Sequence, residues 1–428
     1  MPSKGAATLI ATSDARSDGH PDMRYSSTAT SRDKLLALEG MRFLASLAVL
    51  LWHYQNFAFV GSVQADLVRS ALPFYGLFLP LYEAGRYGVW IFWCISGFIF
   101  FWRYSDTISN RSIGGPTFFV FRLSRLYPLH LVTLLLVALL QPLYLALHGE
   151  FFIVQNNDLP HFLAQLALAS DWVGPRSDSF NAPIWSISVE VLVYAFFYLS
   201  SRFVSRSPLF NLVVILACLN VSSQVTTCMA LFYAGGLAAI ARQAIANAPS
   251  RRGIERGAWC AAGLIPIVTA LLSLRVEIPD WLLLLTYTPI LLFCLSAPMA
   301  LPRPLGRLLE ATGNMTYSCY LLHFPIQLGI ALAFSFAQRP IPYLDHLFWA
   351  AFIGSTLAAS HLTYRYFEAP AQRLIRSVLL RRRDVSAAAS SRRLGNGPGG
   401  TPVFRQEVCD RNRIADQVPL SEIDAVGT

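Results

Sequence analysis

Long apolar runs, separated by short polar stretches, fill the chain between residues 34 and 367. Most of them approach the length of about 20 apolar residues that a helix needs to cross the hydrocarbon core of a bilayer. The pattern predicts an all-α, polytopic transmembrane helix bundle of about ten spans, with a short re-entrant or interfacial helix at 160–170. The predicted spans are 34–57, 86–105, 126–147, 183–201, 208–223, 226–245, 258–275, 280–300, 316–337 and 346–367.

The segments on either side of the apolar region differ from it in composition. Residues 1–31 are rich in Ser, Ala, Thr and Asp without apolar periodicity, so we expect a disordered cytoplasmic tail. Residues 32–377 form the predicted transmembrane domain, and 378–428 form a basic flank followed by a second disordered cytoplasmic tail, too short and polar for a further domain. We expect no cleavable signal peptide, because the first long apolar run begins near Lys34 and contains charged residues.

Arginines are divided unevenly between alternate loops. This is the positive-inside asymmetry, and it predicts an even number of spans with both termini in the cytoplasm. The arginines of the predicted cytoplasmic loops are Arg103, Arg111, Arg122, Arg125, Arg202, Arg206, Arg242, Arg251, Arg252, Arg256, Arg303 and Arg307.

Composition excludes several classes of protein. Hydrophobic residues make up 54% of the chain and charged residues only 14%, against about 25% charged residues in soluble domains. The net charge of +9 does not indicate a nucleic-acid partner, because the arginines stand singly or in pairs between apolar runs. The seven cysteines form no CxxC pair, so we predict neither a disulfide framework nor a metal site.

The first predicted span carries two ionisable residues on one face. Arg42 and His53 are eleven residues apart, which places them about 16 Å apart along a helix axis, with Arg42 toward the cytoplasm. Ionisable groups inside a span usually face a bundle interior or a wet cavity, and a neutral imidazole there is a candidate general base. The alternative is that His53 is an interfacial histidine and Arg42 a snorkelling anchor, with Glu39 as its ion-pair partner.

Three further stretches add candidate site residues. Ser96 and Gly97 lie in the middle of the second predicted span, where small residues also serve close helix packing. Arg122 and Arg125 are about one helical turn apart at the predicted cytoplasmic surface, so they suit a phosphate-bearing ligand as well as simple anchoring. Glu190 is the acid of an otherwise apolar stretch, and its burial calls for a partner or a role.

Other residues and motifs receive weaker interpretations. We interpret His323 and His361 as structural hydrogen-bonding residues, and Glu368 as part of the end of the last span. The sequence contains no P-loop, no GxSxG and no HExxH, which argues against an ATP-driven pump and against hydrolases of those kinds. It also shows no internal repeat of the kind that transporters carry.

Taken in order, six stretches resemble the acyltransferase-3 family of integral membrane acyltransferases, which O-acylate polysaccharides, peptidoglycan and antibiotics. They cover roughly residues 34–377 and read LEGMRFLASLAVLLWHY, GVWIFWCISGFIF, FRLSRLYP, IWSISVEVLVYAFFY, TYSCYLLHFPI and YRYFEAPAQRLIR. One departure is clear: Trp90 stands where the family pattern has an acid, so the resemblance assigns no proton or hydrogen-bond role to that position.

The resemblance implies a role for each candidate residue. His53 is the implied essential histidine, with Arg42 as its charged companion. Arg122 and Arg125 are implied to hold the phosphates of CoA. Ser96 and Gly97 are implied to line the acyl path, and Glu190 matches a recurrent acid of the family.

These roles define an expected function. We expect a multi-pass enzyme of the bacterial inner membrane that moves an acyl group, most simply acetyl, from acyl-CoA to a hydroxyl of a sugar or cell-surface glycan. Acyl-CoA is then a donor substrate, and we expect no permanently bound cofactor and no metal. The expected partners are the donor, the glycan or other hydroxyl-bearing acceptor and the lipid bilayer; the oligomeric state is left open.

Two other readings of the same residues stay open. A proton-coupled transporter or flippase of an anionic or acylated solute could use the buried Arg, His and Glu as a proton relay. A non-catalytic membrane scaffold would tolerate loss of His53 and Arg125.

Overall fold

The computed structural model describes residues 35–64, 67–172, 178–299 and 301–380. The predicted tail at 1–31 and most of the one at 378–428 lie outside these residues. The described part is almost entirely helical, as the apolar pattern predicts. Its helices are α1 (Leu36–Tyr54), α2 (Tyr75–Ala84), α3 (Gly88–Arg103), α4 (Ser105–Ser109), α5 (Gly115–His148), α6 (Leu159–Leu166), α7 (Ile184–Phe203), α8 (Pro208–Cys218), α9 (Gln224–Ala244), α10 (Arg251–Ser273), α11 (Asp280–Leu295), α12 (Arg303–Asn314), α13 (Thr316–Phe336) and α14 (His346–Thr363).

Short irregular elements connect some of these helices. Turns of 3-10 helix occupy Gln55–Ala58, Arg69–Ala71 and Gly85–Tyr87. Strands β1 (Phe59–Val60) and β2 (Val63–Gln64) form an antiparallel hairpin in which Phe59 faces Gln64 and Val60 faces Val63. After α14 the chain makes a π-helical turn over Tyr364–Glu368, and helical turns continue through residues 369–380.

Every predicted span coincides with a helix, so the fold is the predicted polytopic helix bundle. Within the described residues, seven helical segments are long and apolar enough to cross a membrane: Leu36–Ala58, Tyr75–Arg103, Gly115–His148, Ile184–Phe203, Gln224–Ala244, Arg251–Ser273 and Thr316–Phe336. Two shorter apolar helices, α8 and α11, and the 18-residue α14 occupy the other three predicted positions. The cytoplasmic placement of both termini stays a prediction from the arginine distribution.

Two helices differ from their predicted lengths for identifiable reasons. Helix α5 has 34 residues, about 51 Å, because it begins eleven residues before the predicted 126 and so includes two arginines that an apolar-run criterion excludes. Helix α8 ends at Cys218 after 11 residues, about 16 Å, because the polar stretch that follows ends with Ser223, which caps α9. On its own, α8 is therefore too short to cross a hydrocarbon core of about 30 Å.

The centre of the bundle is built on a close crossing of α3 and α9. A Cβ atom on Gly97 would overlap the backbone carbonyl of Phe232, and one on Gly235 would overlap the carbonyl of Cys94. The two backbones can approach this closely only because both positions lack a side chain. Buried aromatic rings from α3, α7 and α9 fill the space around the crossing, among them Phe98, Phe101, Phe197, Phe232 and Tyr233.

Candidate active site

A cavity with an empty volume of about 930 Å³ lies among α1, α3, α5, α7 and α13. Its wall is apolar and aromatic over much of its area, with a small number of polar groups, as in ligand pockets generally. Five of the seven candidate residues from the sequence line it, from four different helices. These are Arg42 on α1, Ser96 on α3, Arg122 and Arg125 on α5, and Glu190 on α7.

The arginines of the cavity are held by specific partners. Arg42 is buried and donates from Nη1 to Oε2 of Glu39 over 2.9 Å, an i,i+3 ion pair on α1. Arg122 is also buried: it donates to the hydroxyl of Tyr104, and its guanidinium carbon lies 4.8 Å from the centres of the Phe100 and Tyr104 rings. Such packing fixes the orientation of a guanidinium fork before any ligand arrives.

The buried Nε–H of Arg122 suits a ligand-binding role for this residue. Among the described residues its buried Nε–H has no hydrogen-bond partner. A buried unsatisfied donor costs about 1–3 kcal/mol, and more on a charged group, so it calls for an explanation. An anionic group in the cavity would supply the missing acceptor.

Glu190 lies in the same cavity within a hydrogen-bonded group. Tyr194, one turn further along α7, donates to its Oε1 over 2.6 Å, and Ser96 hydrogen-bonds to it from α3. Arg122 and Arg125 both lie within electrostatic range of the carboxylate. Ser96 therefore faces the cavity as a hydrogen-bonding residue, whereas its neighbour Gly97 faces away and packs against α9.

A second acid, Glu368, lies near the arginines and has a complete set of partners. It is 1% exposed, accepts from Oγ of Ser318 over 2.7 Å and from Nε2 of Gln372 over 3.1 Å, and lies within electrostatic range of Arg125 and Arg42. From the sequence, Glu368 is interpreted only as part of the end of the last span. A further signal in the sequence is that this carboxylate directly follows an aromatic segment. The π-helical turn that carries Glu368 is a feature often found at functional sites.

His53 does not line this cavity; it lies beyond it, against a second histidine. The ring centres of His53 and His323 are 4.9 Å apart. Nδ1 of His53 lies 2.9 Å from the carbonyl oxygen of Val49, and Nδ1 of His323 lies 3.3 Å from that of Cys319. Because a carbonyl oxygen only accepts, each Nδ1 donates, and a ring whose one N–H is at Nδ1 has a lone pair at Nε2.

The backbone next to His53 is also anchored. Gln327 donates from Nε2 to the carbonyl oxygen of His53 over 2.7 Å and accepts from Nδ2 of Asn56 over 3.2 Å. His323 itself is 1% exposed, and among the described residues its Nε2 has no hydrogen-bond partner. The interpretation of His323 as a structural hydrogen-bonding residue therefore accounts for Nδ1 but leaves Nε2 unexplained.

Tyr320 connects the cavity with the histidine pair. Its side chain lines the cavity, and its ring meets that of His323 edge-on, with centres 6.0 Å apart. The hydroxyl donates to the carbonyl oxygen of Pro183 over 3.0 Å and lies 2.7 Å from Oγ of Ser186. Tyr320 thus belongs to the wall of the arginine-lined cavity and also contacts the histidine pair through His323.

An arginine-lined cavity of this kind suits an anionic ligand, and the histidine pair lies beside Tyr320 of its wall. The chain belongs to the acyltransferase-3 family: the model of its acyltransferase domain matches residues 35–365. A 183-residue stretch is 30% identical to the protein named acyltransferase MdmB of Streptomyces mycarofaciens. That alignment covers 41% of this chain and 41% of the relative. No solved structure matches the chain.

Proposed function

We propose that the protein is a membrane-bound O-acyltransferase of the bacterial inner membrane. It transfers an acyl group, most simply acetyl, from acyl-CoA to a hydroxyl of a sugar or cell-surface glycan. The observation that carries the proposal is the arginine-lined cavity whose wall residue Tyr320 contacts His323, the partner of His53. Membership of the acyltransferase-3 family and the relative named as an acyltransferase support acyl transfer as the reaction.

The donor binds with its phosphates at the arginine end. Arg122 and Arg125 offer guanidinium forks on one face of α5, and the unsatisfied Nε–H of Arg122 adds a donor for a phosphate oxygen. Arg42 lies at the same end. Because α1 is one continuous helix, Arg42 is about 16 Å from His53 along the axis, too far to contact an oxyanion formed there. We therefore assign Arg42 to the donor phosphates rather than to the reacting carbonyl.

A long, flexible donor fits this separation. The thioester of acyl-CoA stands at the end of a pantetheine arm, so phosphates and reacting carbon need two distant sites. We assign Glu190 and Ser96 to the part of the cavity wall between these two sites, where they position the donor. The hydrogen bond between Ser96 and Glu190, together with that from Tyr194, holds α3 against α7.

The chemistry takes place at His53. Its Nε2 takes the proton of the acceptor hydroxyl while the oxygen attacks the thioester carbonyl carbon. When the tetrahedral intermediate collapses, the carbon–sulfur bond breaks and the imidazolium returns the proton to the thiolate, which releases free CoA and an O-acyl ester. In the other course Nε2 attacks the thioester carbon, the carbon–sulfur bond breaks and CoA leaves as the thiolate. The acceptor hydroxyl then attacks the acyl carbon, the bond from that carbon to Nε2 breaks, and the hydroxyl proton passes to the thiolate.

The first prediction concerns His53. In proteoliposomes with radiolabelled acetyl-CoA and an envelope glycan extract, we expect His53→Ala to lower acceptor-stimulated CoA release by about 10²–10⁴-fold, because the base is lost. His361→Ala is the matched control, since His361 is an exposed histidine on α14 outside the cavity lining. We expect it to retain wild-type release.

The outcomes separate the candidate functions. Wild-type protein that consumes neither acetyl-CoA nor longer acyl donors would overturn the proposal in favour of transport of an anionic or acylated solute. Full activity of His53→Ala would overturn the assignment of the base while leaving acyl transfer intact.

A further inference from the structure

A second basic pocket lies away from the cavity, where α10 begins beside the end of α11. It has an empty volume of about 550 Å³. Arg252, Arg256 and Trp259 line it from α10, and Phe293 and Cys294 line it from α11. Neither the family resemblance nor the proposed reaction uses these residues.

Two arginines of this pocket have no partner within the described parts of the chain. The acid of the pocket, Glu255, is engaged by others: its Oε1 accepts from Nη1 of Arg242 over 2.5 Å and from Nε of Arg251 over 2.9 Å. Arg252 and Arg256 are exposed, and no hydrogen bond or ion pair joins them to any described residue. Being four residues apart, they present two guanidinium groups side by side on one helix face.

The same face of α10 becomes apolar immediately beyond the arginines. Trp259 follows three residues after Arg256 and is 47% exposed, as a tryptophan at a membrane–water interface is. At Gly263, the next turn of this face, no described atom apart from its chain neighbours and the nearby backbone of α10 lies within 4 Å of where a Cβ would stand, so the surface is open there. Ile267, one turn further, is exposed. Along this face of α10, two arginines are therefore followed by an exposed tryptophan, then by an open position at Gly263 and then by exposed apolar surface.

We propose that this pocket is a binding site for the headgroup of an anionic phospholipid of the cytoplasmic leaflet. The phosphate accepts hydrogen bonds from Arg252 and Arg256, the headgroup lies beside Trp259, and one acyl chain follows the open face past Gly263. A lipid is the occupant rather than a soluble anion because the charged and apolar parts are continuous. The 23-residue α10 is also largely unburied in the described structure: Ala262 is its buried residue.

Native mass spectrometry of the full-length protein in detergent, with phosphatidylglycerol or phosphatidylcholine added at equal concentration, tests the proposal. We expect wild type to retain phosphatidylglycerol in preference, and the pair Arg252→Gln, Arg256→Gln to retain it about tenfold less. The control pair is Arg303→Gln, Arg307→Gln, which removes two exposed arginines of another predicted cytoplasmic loop. We expect that pair to retain the lipid as wild type does.

Four results would overturn the proposal. If wild type retains the two lipids equally, the pocket has no headgroup preference. If both arginine pairs lose phosphatidylglycerol equally, the lipid binds to basic surface in general and not to this pocket. Displacement of the lipid by inorganic phosphate at the same concentration makes the pocket a site for free anions. A dimer that disappears in the Arg252, Arg256 variant makes α10 an interface between two copies. None of these readouts depends on acyl transfer, so the proposed function stands or falls separately.

Discussion

His53 and His323, far apart in sequence, meet beyond the end of the cavity. Each Nδ1 donates to a backbone carbonyl, so in the neutral form of each ring Nε2 is the acceptor. If His53 takes a proton during the reaction, a second cation 4.9 Å away would be strongly unfavourable in a low dielectric, so His323 has to stay neutral. A neutral His323 can accept a hydrogen bond, and on the proposed mechanism it positions the imidazolium that forms at His53.

The second prediction tests this role through two amide substitutions. His323→Asn can keep the hydrogen bond to the Cys319 carbonyl but removes the acceptor at Nε2. His323→Gln places an amide oxygen near that acceptor position. We expect kcat to fall about 10–100-fold in the Asn variant and to recover in part in the Gln variant, while KM for the donor changes little.

A purely structural His323 gives the opposite pattern. In that case the Asn variant, which keeps the Nδ1 contact, is the better enzyme and also the more heat-stable protein. Steady-state kinetics in proteoliposomes together with thermal unfolding in detergent distinguish the two cases.

At the scale of elements, the contact between α3 and α9 sets the shape of the cavity. Helix α3 carries Ser96 into the cavity wall, and Gly97 on its adjoining face touches the backbone of α9. Consecutive helix residues point about 100° apart, so these neighbours face different environments. The resemblance groups them on one acyl path, but the structure separates a cavity residue from a packing residue.

The third prediction concerns this crossing. A Cβ on Gly235 of α9 would overlap the carbonyl of Cys94, so we expect Gly235→Ala to force the helices apart at a cost of about 1–3 kcal/mol. The melting temperature in detergent should fall by several degrees, and activity should fall with it because α3 moves. Gly354→Ala on α14 is the control: its Cβ meets nothing within 4 Å, so helix propensity alone acts and stability should hold or rise slightly. Equal melting temperatures in the two variants would contradict the close-packing account.

At the scale of the whole molecule, the proposed function places the donor phosphates and the reacting carbonyl at two separate parts of the bundle. Arg122 and Arg125 belong to the early turns of the long α5, before the predicted span begins, whereas His53 stands near the other end of α1. On the proposed function, changes at the two ends should alter different kinetic constants. Loss of a phosphate contact weakens donor binding, and loss of an imidazole slows the chemical step.

The fourth prediction uses this separation. We expect Arg122→Gln to raise KM for acetyl-CoA about 10–100-fold with little change in kcat, because a charge-assisted hydrogen bond is lost. For acetyl-pantetheine, which lacks the nucleotide phosphates, wild type and variant should have similar KM values. Arg202→Gln is the control: Arg202 lies outside the cavity and donates to the carbonyl oxygen of Ile108 over 3.3 Å. An equal loss of kcat with both donors would show that Arg122 supports the fold of the site rather than a phosphate.

The sequence predicts much of this architecture and part of the site. Apolar run length locates the ten predicted spans, and ionisable residues inside apolar stretches identify Arg42 and Glu190, because burial of a charge in a span needs a reason. The neighbourhood of His323 could not be predicted in this way. It depends on how α1 and α13 are rotated against each other, which the pattern of one sequence does not specify.

On the proposed function, Tyr320 lies between the arginines that hold the donor phosphates and the histidines where the thioester reacts. Its aromatic ring and the apolar wall around it limit the water that can follow a thioester toward the histidines. A base that activates a sugar hydroxyl would activate a water molecule equally well, so the barrier decides between transfer and hydrolysis. On the proposed function, the enzyme can therefore keep its donor bound in the absence of an acceptor without hydrolysing it.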